Sequence, residues 1–234
     1  MSVIYLIRHG QASFGNENYD QLSELGHEQS TKLGLALSQR LALFDKVYTG
    51  SMLRHEQTAN NCLAKFGGSS DGLLNESNPT VDSGWNEYDH PNILANYHPE
   101  FASHDRMVAF LKKQDKPKQA FEYYFNQAID RWIQNENNIY SESWNTFCAR
   151  VHASFKQVLD ESLKFKSVAV FTSGGPISLI AQSLLGVAPE KIMTMNWTLL
   201  NCGVTKLVST SDRVFVSTLN EHSHFNEKRL LTYT

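Results

Sequence analysis

Two short runs of this sequence are apolar at every position, and each leads directly into polar residues that can bind or react. Val3 to Ile7 precedes Arg8-His9-Gly10, and Val168 to Phe171 precedes, after one residue, Ser173-Gly174-Gly175. Runs of this length and composition are typical of strands buried on both faces of a parallel sheet. Because ligands of open α/β sheets bind beyond the carboxyl ends of the strands, we expect the two tripeptides to converge at one edge.

Helical patterns separate the predicted strands. Leucines recur every four residues after Ser23, a residue suited to cap a helix, and Pro176 suits a first helical position. The elements predicted besides the two apolar runs are a helix from Ser23 through Leu41, a strand at Lys46 to Tyr48, a helix from about Ser51, a helix from about Trp144 to Leu163, a helix at Ile177 to Leu185, and a hairpin of Val204 to Val208 with Val214 to Thr218. This alternation predicts a three-layer α/β fold, with a mainly parallel central sheet, helices on both faces and a hairpin at the sheet edge.

Residues 92 to 145 differ from the rest of the chain. They are polar and aromatic, and His98-Pro99 and Lys116-Pro117 interrupt them. Between these breaks the aromatic residues keep helical spacing. We therefore predict one domain over residues 1–234 with an inserted helical cap at about 92–145. The aromatic residues of the insert are interpreted as its own core rather than as contacts to a substrate.

Composition excludes several classes of protein. The net charge of −3 provides no basic field for nucleic acid, so an anion must be bound by a local cluster. Cys62, Cys148 and Cys202 are far apart and form no paired motif, which argues against a disulfide framework or a zinc knuckle and for a cytoplasmic location. No apolar run has the length of a membrane span, so no membrane partner is expected. The edge hairpin would allow a homodimer.

The polar residues after the strands match the needs of a phosphate monoester. Arginine binds phosphate oxygens in a fork, and a neutral imidazole can attack phosphorus. Arg8 and His9 supply this pair at one strand end, and Arg54 follows the second strand. Glu87, in a loop-like segment, could protonate the leaving oxygen, and Asn16 could donate to a phosphate oxygen. Taken singly, Arg54 and Glu87 are typical of ordinary surface residues, so it is their joint order with Arg8 and His9 along the chain that predicts a phosphate site.

That joint order resembles the histidine phosphatase family, which includes the cofactor-dependent phosphoglycerate mutases. The resemblance covers nearly the whole chain and is weakest over residues 92 to 140. The segments that carry it are Leu6-Ile-Arg-His-Gly-Gln11, Leu22-Ser-Glu-Leu-Gly-His-Glu-Gln29, Tyr48-Thr-Gly-Ser-Met-Leu-Arg-His-Glu-Gln-Thr-Ala59, Glu142-Ser-Trp-Asn-Thr-Phe-Cys-Ala-Arg-Val151, Asn201-Cys-Gly-Val-Thr205, and Asn220 to His224.

The resemblance implies a phosphomonoesterase that uses neither metal nor cofactor and acts on a phosphorylated small molecule. His9 would become transiently phosphorylated, while Arg8 and Arg54 would hold the phosphoryl oxygens. Glu87 would first protonate the leaving alcohol and then help water to hydrolyse the phosphohistidine. Asn16, Ser173 and Gly174 would complete the phosphate site.

One residue departs from the family pattern. The family has a second histidine directly before the Gly-Gly turn, and this chain has Ser173 there. Losing one preorganised donor costs a factor of roughly 10² to 10³ in turnover, so we expect slow turnover unless another group fills the gap. Four histidines could do so, and their spacing selects none of them: His55, His90, His222 and His224.

Three alternatives remain open at the level of sequence. A phosphoglycerate mutase is the nearest, but no Arg-Arg-Tyr-Gly segment follows Glu87 as it does in those mutases. A non-catalytic phosphate-binding module would fit the loss at Ser173, but it would not need the retained nucleophile and acid. A metal enzyme has little support, because only His222 and His224 are closely spaced and no metal-binding motif is present.

Overall fold

The computed structural model describes residues 1–13, 20–41, 43–66, 79–134 and 139–233. The chain divides into two compact units, of which the first comprises Met1–Glu87 with Val151–Thr234 and the second comprises Tyr88–Arg150. The segment predicted as an insert, residues 92 to 145, falls within the second unit. In the first unit a six-stranded sheet has the strand order β3-β2-β4-β1-β5-β6. The strands are β1 (Ser2–Arg8), β2 (Lys46–Thr49), β3 (Thr80–Val81), β4 (Ser167–Thr172), β5 (Val204–Ser209) and β6 (Val214–Glu221).

The register of the parallel strands brings their carboxyl ends together. β1 and β2 both pair with β4 in parallel, with Arg8 opposite Thr172 and Thr49 opposite Phe171. Beyond the ends of β1 and β2, the His9 amide donates to the Thr172 carbonyl at 2.9 Å, and the Gly50 amide donates to the Phe171 carbonyl at 3.0 Å. The predicted convergence at one sheet edge is confirmed.

The antiparallel edge is also confirmed. β5 pairs antiparallel with both β1 and β6, so the hairpin extends the parallel part of the sheet on one side. β3 was not predicted, because two residues carry no recognisable strand pattern. It forms because β2 lies alongside and offers a parallel partner, with Tyr48 opposite Thr80.

Eight α-helices lie in the described part of the chain. They are α1 (Glu24–Ser38), α2 (Leu53–Leu63), α3 (His90–Tyr97), α4 (His104–Leu111), α5 (Pro117–Gln134), α6 (Trp144–Ser162), α7 (Gly174–Leu185) and α8 (Ile192–Asn196). Ser23 caps α1 as predicted, since its side chain accepts from the Gly26 amide at 3.1 Å. No described helix is long and apolar enough to cross a membrane.

Helix α7 begins earlier than the sequence predicted. Its first residue is Gly174, so Pro176 is the third helical residue rather than the first. The prediction was wrong at this boundary because a proline breaks no hydrogen bond anywhere in the first helical turn, where the amides have no partner within the helix. The helix therefore starts directly after Ser173, and its first amides lie at the strand-end edge.

The second unit contains its own aromatic core. The His98 ring lies 5.1 Å from the Phe101 ring and 5.0 Å from the Phe110 ring, measured between centroids. Phe101 and Trp132 are buried, whereas Tyr123 is 59% exposed. Most of these aromatic side chains thus pack on one another, which agrees with the prediction that they form the core of the insert.

Close packing of α1 on α2 supports the face of the sheet beneath the site. Leu33, Leu37 and Cys62 belong to one buried cluster with residues of the central strands. Gly34 lies between the helices, and a Cβ added there would be 2.3 Å from the Cys62 carbonyl oxygen. Only a residue without a side chain lets the two backbones approach this closely.

We therefore expect Gly34→Ala to lower the free energy of unfolding. Overpacking a tight core costs about 1–3 kcal/mol, which outweighs the roughly 1 kcal/mol that alanine gains over glycine in a helix. Urea unfolding followed by circular dichroism measures the change. Leu35→Ala, on the exposed side of the same helix, is the control. A Gly34→Ala protein more stable than wild type would contradict the packing argument.

Candidate active site

The imidazole of His9 is buried just beyond the end of β1, with 5% of the residue exposed. Its Nδ1 lies 2.7 Å from the Gly10 carbonyl oxygen, and its Nε2 lies 3.2 Å from Arg54 Nε. A carbonyl can only accept a hydrogen bond, and a guanidinium can only donate one. The proton of neutral His9 is therefore on Nδ1, and Nε2 presents its lone pair on the side of Arg54.

Two hydrogen-bond donors fix the backbone carbonyl of His9. The His9 carbonyl accepts from the Cys202 amide at 3.2 Å and from Asn201 Nδ2 at 3.2 Å. Cys202 has a φ of 57°, a left-handed conformation that is uncommon for residues other than glycine. This conformation accompanies hydrogen bonds from its amide to the carbonyls of both Arg8 and His9. The loop between α8 and β5 thus helps to hold the position from which the ring projects.

Arg54, at the second residue of α2, is buried and held by a carboxylate that the sequence analysis missed. Its Nη1 lies 2.6 Å from Asp20 Oδ1, while Asp20 Oδ2 accepts from the Leu53 amide at 2.9 Å. Asp20 therefore orients the guanidinium and also satisfies a free amide at the helix start. Nothing in the sequence around Asp20 marks it as a partner of Arg54.

A threonine ties the nucleophile loop to α2. Thr58 Oγ1 accepts from the Gly10 amide at 3.0 Å and donates to the Arg54 carbonyl at 2.6 Å, one turn earlier in the helix. Thr58 is fully buried. The Thr58 hydroxyl therefore links the loop that carries His9 to the helix that carries Arg54. These two hydrogen bonds help to fix the distance between His9 and Arg54.

Arg8 lies at the end of β1 and faces the start of α7. Its guanidinium donates to the Leu199 carbonyl, and a Cβ added to Gly174 would lie 3.6 Å from Arg8 Nε. Arg8 and Gly174, which were both predicted to bind phosphate, therefore lie at the same strand-end edge as His9. Leu199, which follows α8, was not identified from the sequence as an anchor for Arg8.

Ser173 is fully buried between β4 and α7, and its hydroxyl does not cap the helix. Its Oγ lies 2.7 Å from Nε2 of His55, a fully buried histidine that directly follows Arg54. The rings of His55 and His9 are 5.6 Å apart between centroids. Among the four candidate histidines, the structure therefore places His55 against the position where the family has its second histidine.

Glu87 lies opposite the start of α7. Its Oε2 accepts from the Gly175 amide at 3.2 Å, and the residue is half-buried. A carboxylate at this position interacts favourably with the positive end of the helix and with its free amides. Next to it, the Thr172 hydroxyl donates to the Trp85 carbonyl, which connects the end of β4 to the segment that carries Glu87.

The electrostatics of the site keep His9 neutral. Burial holds the pKa of His9 well below its usual range, and the charges of Arg54 and Arg8 lower it further. Burial and the Arg54 charge likewise hold the pKa of His55 well below its usual range. Two uncharged imidazoles thus lie among the two guanidinium groups, an arrangement that favours an incoming anion and leaves Nε2 of His9 free of a proton.

The structure brings together six of the seven residues singled out from the sequence. Those at the strand-end edge are Arg8, His9, Arg54, Glu87, Ser173 and Gly174. The seventh, Asn16, lies outside the described residues. Within the described ranges, no three His, Cys, Asp or Glu side chains form a group that could hold a metal ion.

Buried neutral histidines should make the protein less stable in acid. Below a pH of about 6.5 the unfolded chain takes up protons on His9 and His55, whereas the folded chain does not. The free energy of unfolding therefore decreases as the pH is lowered. The loss approaches about 1.4 kcal/mol per pH unit for each histidine. We expect His55→Gln to reduce this slope in urea unfolding at pH 7.5, 6 and 5.

The matched control for this measurement is His152→Gln, because His152 is exposed on α6. Carboxylates contribute equally to both proteins, so the difference between the slopes isolates the buried ring. Equal slopes for His55→Gln and His152→Gln would contradict the prediction. They would mean that His55, where it is present, gains a proton in the folded protein as readily as in the unfolded chain.

Known structures share this fold at low sequence identity. The phosphoglycerate mutase of Bacillus anthracis str. Sterne is 18% identical, with 95% of this chain and 94% of that chain covered and a TM-score of 0.63. The α-ribazole phosphatase of Shigella flexneri is also 18% identical, with coverage of 94% and 96% and a TM-score of 0.63. A mycobacterial glucosyl-3-phosphoglycerate phosphatase, solved with inorganic phosphate, is 18% identical, with coverage of 96% and 100% and a TM-score of 0.63.

No curated protein matches the chain by sequence. The family model of the histidine phosphatase superfamily (branch 1) matches residues 4–222, a span that runs from β1 to the end of β6. It includes the strand-end edge with His9, Arg54, Glu87 and Ser173. The chain therefore belongs to the histidine phosphatase superfamily.

Proposed function

We propose that this protein is a metal-independent phosphomonoesterase that acts on a phosphorylated small molecule through a phosphohistidine at His9. The observation that carries the proposal is the fixed polarity of the His9 ring. Its Nδ1 is committed to the Gly10 carbonyl, and its Nε2 lone pair faces the guanidinium of Arg54. A nucleophile directed at a cationic fork suits attack on an anionic phosphoryl group.

The reaction would take two steps. In the first, the Nε2 lone pair of His9 bonds to phosphorus, the ester P–O bond breaks, and the leaving oxygen takes a proton from Glu87. In the second, water attacks the phosphohistidine, Glu87 takes a proton from that water, and the P–N bond breaks. Orthophosphate leaves, and both His9 and Glu87 return to their starting protonation states.

Charge for holding the phosphoryl oxygens comes from Arg8, Arg54 and the first amides of α7. The Asp20 carboxylate orients the Arg54 guanidinium through Nη1, while Nε of the same group meets His9. A helix N-terminus adds partial positive charge and free amides at the same edge. These fixed groups need little reorganisation when charge develops in the transition state.

Glu87 must be protonated before it can act as an acid. In the free protein the Gly175 amide donates to its carboxylate, which favours the charged form. A bound phosphate dianion would compete for the same helix terminus and repel the carboxylate. The bound substrate would thereby favour the protonated form of Glu87, which is the form that can act as the acid.

Two considerations favour hydrolysis over mutase chemistry. The chain lacks the Arg-Arg-Tyr-Gly segment that follows the acidic residue in the related mutases. The similar structures also include several that are named as phosphatases. The natural substrate is proposed only as a class, a phosphate monoester of a small alcohol.

We expect His9→Ala to abolish phosphate release from 4-nitrophenyl phosphate in the presence of a chelator. Without the imidazole no phosphoenzyme can form, so radiolabelled phosphate should be trapped on the wild-type protein in an acid-labile, base-stable form and be absent from the variant. His152→Ala removes an exposed histidine and is the control for handling and folding.

Three results would contradict the proposal. Equal release by wild type and His9→Ala would exclude His9 as the nucleophile. Loss of wild-type activity in chelator would indicate a metal enzyme. Transfer of phosphate between carbons of a phosphoglycerate at a rate exceeding its hydrolysis would indicate a mutase.

We expect Glu87→Gln to slow the release of poor leaving groups selectively. An alkyl alcohol needs a proton as it leaves, whereas 4-nitrophenolate does not, so kcat should fall by about 10² to 10⁴ for an alkyl phosphate and much less for 4-nitrophenyl phosphate. Rapid-mix measurement of the first turnover separates this step from hydrolysis of the phosphoenzyme. Glu190→Gln, an exposed change, is the control, and equal losses on both substrates would exclude Glu87 as the acid.

A further inference from the structure

His55 and Ser173 form a buried polar pair next to His9. The two side chains are fully buried, and His55 Nε2 lies 2.7 Å from Ser173 Oγ. His55 comes from α2, directly after Arg54, and Ser173 comes from the end of β4. The pair therefore joins the two elements that hold the proposed phosphoryl site, although the residues are 118 positions apart in sequence.

The fold makes room for this ring at Gly50. A Cβ added to Gly50 would lie 2.2 Å from His55 Nδ1, so any other residue would displace the imidazole. Within the described part of the chain, His55 Nδ1 is buried and has no hydrogen-bond partner. The contact with Ser173 is thus the hydrogen bond that the structure provides for the side chain of His55.

The direction of this hydrogen bond follows from its surroundings. A neutral imidazole carries one proton, and a proton on Nδ1 would be a buried donor without an acceptor, which is costly. A proton on Nε2 is used in the bond to Ser173 and leaves only a lone pair on Nδ1. The hydroxyl of Ser173 then accepts from His55 and keeps its own proton for another acceptor.

We propose that His55 is a positioning residue for the phosphoryl site, because its ring donates to Ser173 Oγ and so directs the serine proton to an oxygen of the transferring phosphoryl group. This inference rests on the proposed function. The family places an imidazole at the end of β4, whereas here it reaches the same place from α2 and acts through the serine. Ser173 would touch the substrate, and His55 would act only through Ser173.

The pair should behave as one unit in turnover. We expect Ser173→Ala and His55→Leu each to lower kcat for 4-nitrophenyl phosphate by about 10² to 10³ with little change in KM, because the donor acts chiefly in the transition state. The double variant should be no slower than either single variant. His55→Gln, whose amide can reach Oγ, should recover at least about tenfold over His55→Leu.

A second measurement does not depend on turnover. Orthovanadate imitates the transferring phosphoryl group, and its titration by tryptophan fluorescence gives a Kd for each variant. Both single variants should bind vanadate at least about tenfold more weakly than wild type, and His55→Gln should bind more tightly than His55→Leu. If His55→Leu does not fold, His55→Asn takes its place, because its shorter amide does not reach Ser173.

The chain supplies a matched control for removing a histidine–serine contact. On the surface, His152 Nε2 lies 3.2 Å from Ser183 Oγ, and both residues are exposed. His152→Leu should leave kcat, KM and vanadate binding at wild-type values. A loss shared by His152→Leu and His55→Leu would mean that the effect comes from destabilisation and not from the active site.

The outcomes separate the two proposals. If wild type hydrolyses phosphate esters and His55→Leu matches His152→Leu, or if His55→Gln recovers nothing, the positioning role is wrong and the proposed function stands. If wild type hydrolyses no ester but vanadate binding weakens in both single variants, the proposed function is wrong, and only the part of the inference that concerns binding stands, namely that His55 positions Ser173 toward a bound phosphoryl-like anion. A wild type that neither hydrolyses an ester nor binds vanadate would overturn both.

Discussion

The imidazole of His9 lies between a carbonyl that can only accept and a guanidinium that can only donate, and the chemistry proposed for the site depends on this. Gly10 holds the proton on Nδ1, and Arg54 faces the lone pair on Nε2. Each contact depends on a different part of the fold, since Gly10 follows β1 and Arg54 starts α2. Thr58 joins these parts through one hydroxyl. A small shift of α2 relative to the sheet would therefore change the contact between Arg54 and Nε2 of His9.

The positive charges around the His9 ring favour the binding of an anion. Arg8 and Arg54 lie at the strand-end edge with two neutral imidazoles, whose pKa values are lowered by burial and by the neighbouring cations. Two carboxylates contact these groups, Asp20 at Arg54 and Glu87 at the start of α7. A phosphoryl group placed among these residues would meet fixed donors and would tend to protonate the carboxylate proposed as the acid.

The pair of His55 and Ser173 offers a physical explanation for how this chain can have a serine where its family has a second histidine. Serine alone brings a donor without charge, and its hydroxyl could rotate among several acceptors. A histidine locked beside it restricts that rotation, because Oγ is already occupied as an acceptor. Gly50 is part of the same device, since its missing side chain creates the space for the ring. The serine that replaces the family's histidine at the end of β4 is thus accompanied by Gly50, directly after β2, and by His55, in the first turn of α2.

Local sequence determined most of the secondary structure, because period, capping and strand-end position are properties of neighbouring residues. The apolar runs predicted β1 and β4, and Ser23 predicted the start of α1. The candidate site residues His9, Arg54 and Glu87 came instead from the order of the motifs along the whole chain. Only the tertiary structure decided what depends on contacts between distant segments. It formed β3 along β2, began α7 at Gly174, brought Asp20 to Arg54, and selected His55 among four histidines, because hydrogen bonds and burial across the fold leave no periodic trace in the sequence.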